Sequence, residues 1–507
     1  MAPLVCTRRE SSKPGKDGIF TGLDKNHPFR YPVSMSTGRR VTRKPDCPVE
    51  TGSQVAIEFE GRQLPARAGE PLAAALLAAG VQVFGRSLKY HRPRGPYCLQ
   101  GHCSGCLMRV DGIPNVRTCQ TAVRAGMVVE RQRGWPSASF DAFRALDWLS
   151  GQGIDHHSMF TSSAATNRLA ARFVRRLSGF GELPAGEPRP PAPVERWQRQ
   201  VVVVGGGAAG LQAARELHRR GVRSTLFERQ EVAGGRLLDG SDSAGGDGQG
   251  SWARLAELHR QLEGSENLEL LPGTTVVAVY PGDRLQVVAV QERRTLVVEA
   301  ERLLLACGDY EQVRLFEGSD LPGVFAVRAF DRLFYLHGVI PGEPVVLCGD
   351  SPRLLRLAGD LVAAGVEVAA LVSGATRPPL PAGEGAFPLV PGRLPVRASG
   401  GRWIERLEIA PAPSEPADGL FDCGCLVSEY PPAPAYELAH HAGCRVDFDS
   451  ACGFRVVVDD GGRTSNAAVF AAGHCTGAMS LEQALEAGRR AATGMAESLS
   501  GGSGRED

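Results

Sequence analysis

The sequence contains no apolar run approaching the ~20 residues that cross a bilayer, and its N-terminus lacks the compact apolar stretch of a secretory signal. The expectation is a soluble, cytoplasmic chain without a transmembrane segment, any membrane association being made through partners. Excess charge of one sign is also missing. Lys+Arg number 57 and Asp+Glu 56, a net charge of +1, so bulk electrostatics give no case for nucleic acid or an anionic membrane. Small molecules and proteins are the expected partners. No acid/base pair or nucleophile stands out, and no catalytic proton-transfer residue is assigned. The 13 cysteines follow no small-scaffold disulfide pattern, which favours metal ligation plus buried thiols. What the sequence does have is 62 Gly and 35 Pro in a chain that is 43% hydrophobic, a loop-rich globular composition. Its 507 residues suit roughly two to four domains.

Residues 1–50 are polar and basic with no periodicity, and read as a leader or flexible arm; Met35 is a possible second start. From Val55 the segments VAIEFEG and RQLPARAG read as a strand hairpin, followed by an Ala/Leu-rich helix ending at Gly80, the opening of a small β-grasp domain. The Pro-rich stretch 181–198 reads as a stiff linker. After it, RQVVVVGGGAAGLQAARELHRRGVRSTLFER forms a βαβ unit, and EPVVLCGDSPRLLRLAGDLVAAGVEVAALV a weaker second one. Stretches 240–250 and 374–396 read as surface loops.

Cys98, Cys103, Cys106 and Cys119 have the spacing C-x4-C-x2-C-x12-C, with Gly101 and Gly105 inside the loop. Four thiolates are what a 2Fe-2S cluster needs, and a short Gly-containing loop lets three of them wrap it, the fourth coming from a neighbouring strand. A zinc site and coincidental buried thiols are the alternatives. Upstream, Gly85 to Gly95 (GRSLKYHRPRG) carries Arg86, Lys89, Arg92 and Arg94. It reads either as a solvated basic loop or as a docking surface for a flavin domain or acidic redox partner.

Gly205-x-Gly207-x-x-Gly210 follows the strand Val201 to Val204 and opens a helix at Ala208 and Ala209. In that context the glycines serve the turn, the approach of a pyrophosphate and helix–strand packing, and Glu228, followed by Arg229, is placed for the adenosine ribose. NAD would be held by the same device. Gly234-Gly235-Arg236 and the late segment from Ala468 through Gly473 and His474 to Ala484 resemble the glutathione-reductase-like flavoproteins and favour FAD. His474 stands where that class usually has an acidic residue; a His can donate to phosphate but does not replace a carboxylate. Ala306-Cys307-Gly308 matches the strand-end motif of the class, with Cys307 read as a buried thiol. The second unit, Gly349 to Leu354, keeps only the first glycine and has no ribose-binding acid near Leu371, so NAD(P) or another nucleotide there is left open. Cys423 and Cys425 are assigned to a strand returning to the FAD half, as buried thiols rather than a second metal site, and His156-His157 and His440-His441 to the surface.

Together these segments resemble the FAD/2Fe-2S alpha-type subunits of amine and amino-acid dehydrogenase complexes: hydrogen cyanide synthase, opine oxidase, proline dehydrogenase and heterotetrameric sarcosine oxidase, with ferredoxin-like and FAD subunits fused. The resemblance covers about residues 51–500. It implies an α/β plus α+β chain: arm 1–50, β-grasp 2Fe-2S domain 51–133, helical and Pro-rich linker 134–198, Rossmann-like FAD domain 199–339 and 431–500, inserted degenerate NAD-like domain 340–430, and tail 501–507. It also implies a heteromer in which a beta-type FAD subunit oxidises a CH–NH or CH–NH2 donor while this chain relays electrons to a downstream acceptor. A self-contained NAD(P)H-dependent reductase and a scaffold with a non-catalytic nucleotide site are the competing readings.

Overall fold

The hairpin Gln54–Phe59/Arg62–Arg67 closes through Glu60 and Gly61, both at positive φ, the two-residue geometry that matches strand twist. It forms one edge of a five-stranded mixed sheet, continued by Val128–Glu130, Leu107–Val110 and Ile113–Arg117. The helix Leu72–Ala78 packs across this sheet with six buried residues. This is the expected β-grasp arrangement. The computed structural model describes residues 36–132 except Lys89, then 190–240, 250–376 and 387–500, with isolated positions between 134 and 171. Met35 and the arm before it, His156-His157, residues 172–189, 241–249 and 377–386, and the tail 501–507 lie outside the described residues.

The second sheet has seven strands. Its parallel core runs Leu268–Leu271, Ser224–Phe227, Val194–Val204, Arg294–Leu305 and Val469–Ala471, and an antiparallel extension adds Leu285–Gln291 and Thr274–Tyr280. Residues 201–204 and 303–305 are fully or nearly fully buried, as the continuous apolar runs of a sheet covered on both faces must be. A third sheet, wholly parallel, runs Val324–Ala326, Cys425–Ser428, Val345–Cys348, Val368–Val372 and Leu389–Val390. A three-stranded antiparallel sheet, Leu394–Ser399, Arg406–Ala410 and Gly419–Asp422, precedes the return strand at Cys425.

Several local expectations change. Regular structure begins before residue 50: Ser36–Arg40 pairs antiparallel with Val339–Glu343. Arg39 bonds Glu343 at 2.6 Å, Arg40 bonds Glu70 at 2.7 Å, and Arg43 donates to the carbonyls of Leu336 and Val49. The segment straps the β-grasp unit to Val339–Glu343, the strand that leads into the third sheet. Val194–Gln198, assigned to the linker, already belong to the long strand, and 389–396 hold strand residues rather than loop alone. Cys425 opens a strand of the third sheet, where it pairs with Val345 and its neighbour Leu426 pairs with Val324, and not a strand of the FAD-side sheet. Parallel buried strands share one composition, and their sheet is decided by pairing.

The basic segment is solvated only in part, Arg92 being exposed while other members turn inward. Arg86 is buried and donates to Ala138 and His91 carbonyls, while His91 Nδ1 lies 2.7 Å from Asp141 Oδ2 in the interior. Arg94 pairs with Asp320, at the entrance to the third sheet, and Tyr97 Oη donates to the Gln312 carbonyl at 2.8 Å. The segment seats the β-grasp unit on the rest of its own chain.

Candidate functional site

Val194–Val204 ends at Gly205, whose φ is +100° and where a Cβ would meet the Ala306 carbonyl oxygen at 2.3 Å. A Cβ on Gly210 would lie 1.8 Å from the Gly205 oxygen, so helix and turn touch there. Gly207 differs: a Cβ meets only Gly235 Cα, at 3.8 Å, so the space in front of it is open. Gly207 is the N-cap of helix Ala208–Arg219, and no side chain caps it. The positive end of the helix therefore stands at the opening, the arrangement that receives a pyrophosphate.

Glu228 Oε2 accepts the Gly206 N–H and Oε1 the Gln230 N–H, each at 2.7 Å. Both oxygens are thereby fixed, and each retains a lone pair for a hydroxyl. The cleft is lined by Gly205, Gly207, Ala208, Ala209, Glu228, Arg229, Gly235, Arg236, Gly308, Gly473 and His474. Gly210 lies behind this wall, in the helix–strand contact.

Residues beyond the motifs complete the cleft: Asp309, Arg328 and Arg332 on one side, Gln100 and His102 on another. Arg236 and Arg328 bond the two oxygens of Asp309 at 2.6 and 3.0 Å. Arg328 also approaches Glu311 at 3.2 Å and Asp239 at 3.5 Å, and Arg332 donates to the Gly235 carbonyl at 3.0 Å. Burial alone would raise the Asp309 carboxyl, but Arg328, Arg236 and His474 outweigh it and hold it at about 2. A signal for Arg328 and Arg332 is present in the sequence, as cations at i and i+4 beside Asp331 on a largely apolar helix, but only their acidic partners make that burial tolerable.

His474 Nε2 lies 2.9 Å from the Met479 carbonyl, which can only accept, so Nε2 carries the proton. Burial and then Arg236 push its pKa down to about 4. With Nε2 on the carbonyl, a neutral ring has Nδ1 as its acceptor.

Cys98 and Cys103 have their sulfurs 3.4 Å apart, and Cys98 receives the N–H groups of Gln100 and Cys103 at 3.4 Å each. Cys106 and Cys119 form a second hydrogen-bonded pair. All four are free thiols, with Cys98, Cys106 and Cys119 at most 4% exposed. Cys119 comes from the short turn Thr118–Gln120 after a strand, rather than from the strand itself. Among the described residues no three His, Cys, Asp or Glu side chains are grouped to share one metal ion. Two separate thiol pairs fit two irons with two thiolates each, and the donor set suits a 2Fe-2S cluster.

The second βαβ turn is filled from within. Ser351, the N-cap of helix Pro352–Ala363, gives its hydroxyl to Glu429 Oε1 at 2.7 Å and its N–H to Oε2 at 3.2 Å. An internal carboxylate thus accepts from the N-cap of the helix that follows this turn. Cys348, Cys423 and Cys425 are buried nearby, and burial raises all three thiols. His440 and His441 are exposed on the short helix Glu437–His441.

Residues 52–134 match the family described as 2Fe-2S iron-sulfur cluster binding domain, and residues 199–378 match pyridine nucleotide-disulphide oxidoreductase. Sarcosine oxidase subunit alpha of Rhizobium meliloti is 31% identical over 344 residues, 64% of this chain and 34% of its own length. Hydrogen cyanide synthase subunit HcnA of Pseudomonas aeruginosa is 34% identical over 90 residues, 18% of this chain and 86% of its own. The chain belongs to the 2Fe-2S/FAD alpha-type oxidoreductase subunits. It spans about a third of the sarcosine oxidase alpha subunit it matches. The structure of L-proline dehydrogenase from P. horikoshii shares the fold of this alpha-type chain, with TM-score 0.66, 20% identity, 90% of this chain covered and 76% of the other. FAD and a 2Fe-2S cluster are thus the cofactors of the two matched units, with the Gly205 cleft and the cysteine loop as the places that fit them. Among the described residues no helix is long and apolar enough to cross a membrane.

Proposed function

We propose that the chain relays electrons within a heteromeric amine or amino-acid dehydrogenase. In this reading a partner subunit with its own FAD removes two electrons and two protons from a CH–NH or CH–NH2 donor, leaving an imine, and the electrons pass through this chain to a further acceptor. The observation that carries the reading is the contact between the two sites: Gln100 and His102, inside the cysteine loop, form part of the wall of the FAD cleft. Bound FAD supplies the exchange between two-electron and one-electron transfer, and the protein supplies position.

This chain's residues hold that geometry. Arg229 Nη2 lies 3.3 Å from His102 Nε2, and His102 meets Tyr310 edge-on with ring centroids 4.4 Å apart. Arg94 and Tyr97 fasten the same unit from the other side. Glu429 weighs against the NAD(P)H-reductase reading, because the second turn already holds an internal carboxylate. The sarcosine oxidase name of the Rhizobium meliloti relative supports a CH–NH donor. Anaerobic spectra of the complex test this: donor amines bleach flavin and cluster only with the partner present, whereas bleaching of the isolated chain by NADH would make it a reductase.

A further inference from the structure

Gln100 is 4% exposed, yet its Nε2 has no hydrogen-bond partner among the described residues. A buried amide N–H without an acceptor is unfavourable, so such a group on a residue between the cleft and the cysteine loop calls for an acceptor from a bound group. Gln100 lines the cleft with Gly207, Glu228 and Arg229. Its backbone N–H, at the same time, donates to the sulfur of Cys98 at 3.4 Å. Its neighbours are held from both directions, Leu99 at positive φ within the cysteine loop and His102 against Arg229 and Tyr310.

We propose that the cysteine loop completes the dinucleotide site: the side-chain amide of Gln100 donates to the bound dinucleotide while its backbone N–H donates to the Cys98 thiolate, so occupancy of the two sites is coupled. The proposal rests on the FAD and 2Fe-2S assignment above. Linkage makes the coupling reciprocal, so a cluster that strengthens FAD binding is itself retained better when FAD is bound. Gln100 acts as a binding and positioning residue. The donor is an amide, so the effect is a neutral hydrogen bond, strengthened by burial.

The test uses the full chain, deflavinated and titrated with FAD by flavin fluorescence, with the cluster present and after its removal by an iron chelator under reducing conditions. Gln100→Leu is expected to weaken FAD binding roughly fivefold to tenfold, the loss of one net hydrogen bond, with iron and sulfide still at two per chain and a shifted visible circular dichroism of the cluster. Removing the cluster from the unsubstituted chain is expected to weaken FAD binding as well, and to weaken it less in Gln100→Leu. Gln100→Asn, which retains the amide, serves as the conservative variant and is expected to restore part of the affinity. Equal FAD affinity in the unsubstituted chain with and without its cluster overturns the coupling, whether or not the variants fold. Equal affinity in Gln100→Leu and the unsubstituted chain overturns the role of the amide. An unsubstituted chain that binds no FAD at all overturns the cofactor assignment beneath both.

Discussion

At the scale of single residues, the cleft separates glycines needed for folding from those needed for the ligand. A side chain at Gly210 collides with the Gly205 carbonyl, 1.8 Å from the would-be Cβ, whereas one at Gly207 enters open space. Gly210→Ala should therefore destabilise the chain by about 1–3 kcal/mol, read by urea unfolding. Gly207→Val should leave the unfolding midpoint unchanged and lose bound FAD, read by flavin content. Arg328 is the other decisive residue: 5% exposed, it faces Asp309, Glu311 and Asp239 together. Replacing it by Met leaves those carboxylates without their main cation, at a cost of about 3–5 kcal/mol. A loss below about 1 kcal/mol in urea would show that the remaining arginines neutralise the cluster unaided.

At the scale of elements, the strap and the helix it covers set the acid limit of the fold. His337 ends the helix Val327–His337 beside Arg40 and Arg43 of the strap. Burial first, then Arg43, Arg332, Arg40 and Arg67, push its pKa down to about 3, against roughly 6.5 in an unfolded chain. The folded state therefore refuses a proton that the unfolded state accepts. Its contribution is intact above about pH 6.5 and is lost as pH falls toward 3. Unfolding free energy should decline through that window, with a shallower slope in His337→Gln by up to about 1.4 kcal/mol per pH unit; identical slopes would contradict the assignment.

The same elements show what could be read from the sequence. The Gly205 turn and the cysteine loop announce themselves because their chemistry depends on local spacing, and Glu228 falls where the second strand must end. The strap does not, since Ser36–Arg40 is polar and its partner lies some 300 residues on, at Val339–Glu343. Asp309, and the meaning of the Arg328 and Arg332 spacing, are not legible for a related reason: a charge reads as buried only once its counter-charges are placed. Gln100 and His102 sit inside the cysteine motif, and only the docking of two units reveals that they also face the FAD cleft.

At the scale of the whole molecule, one chain seats a β-grasp unit against a dinucleotide fold through Arg94–Asp320, Tyr97–Gln312, Arg229–His102 and the N-terminal strap. These contacts put the cysteine loop at the cleft wall, and the proposed relay depends on that placement. The most direct measurement is an anaerobic visible spectrum of the chain, purified with and without the proposed partner subunit and quantified for iron, sulfide and FAD, before and after a secondary amine or amino-acid donor is added. The account predicts two irons and one FAD per chain, with flavin and cluster both reduced by the donor only when the partner is present. Flavin reduction by NADH in the isolated chain, or a chain without iron, would contradict it.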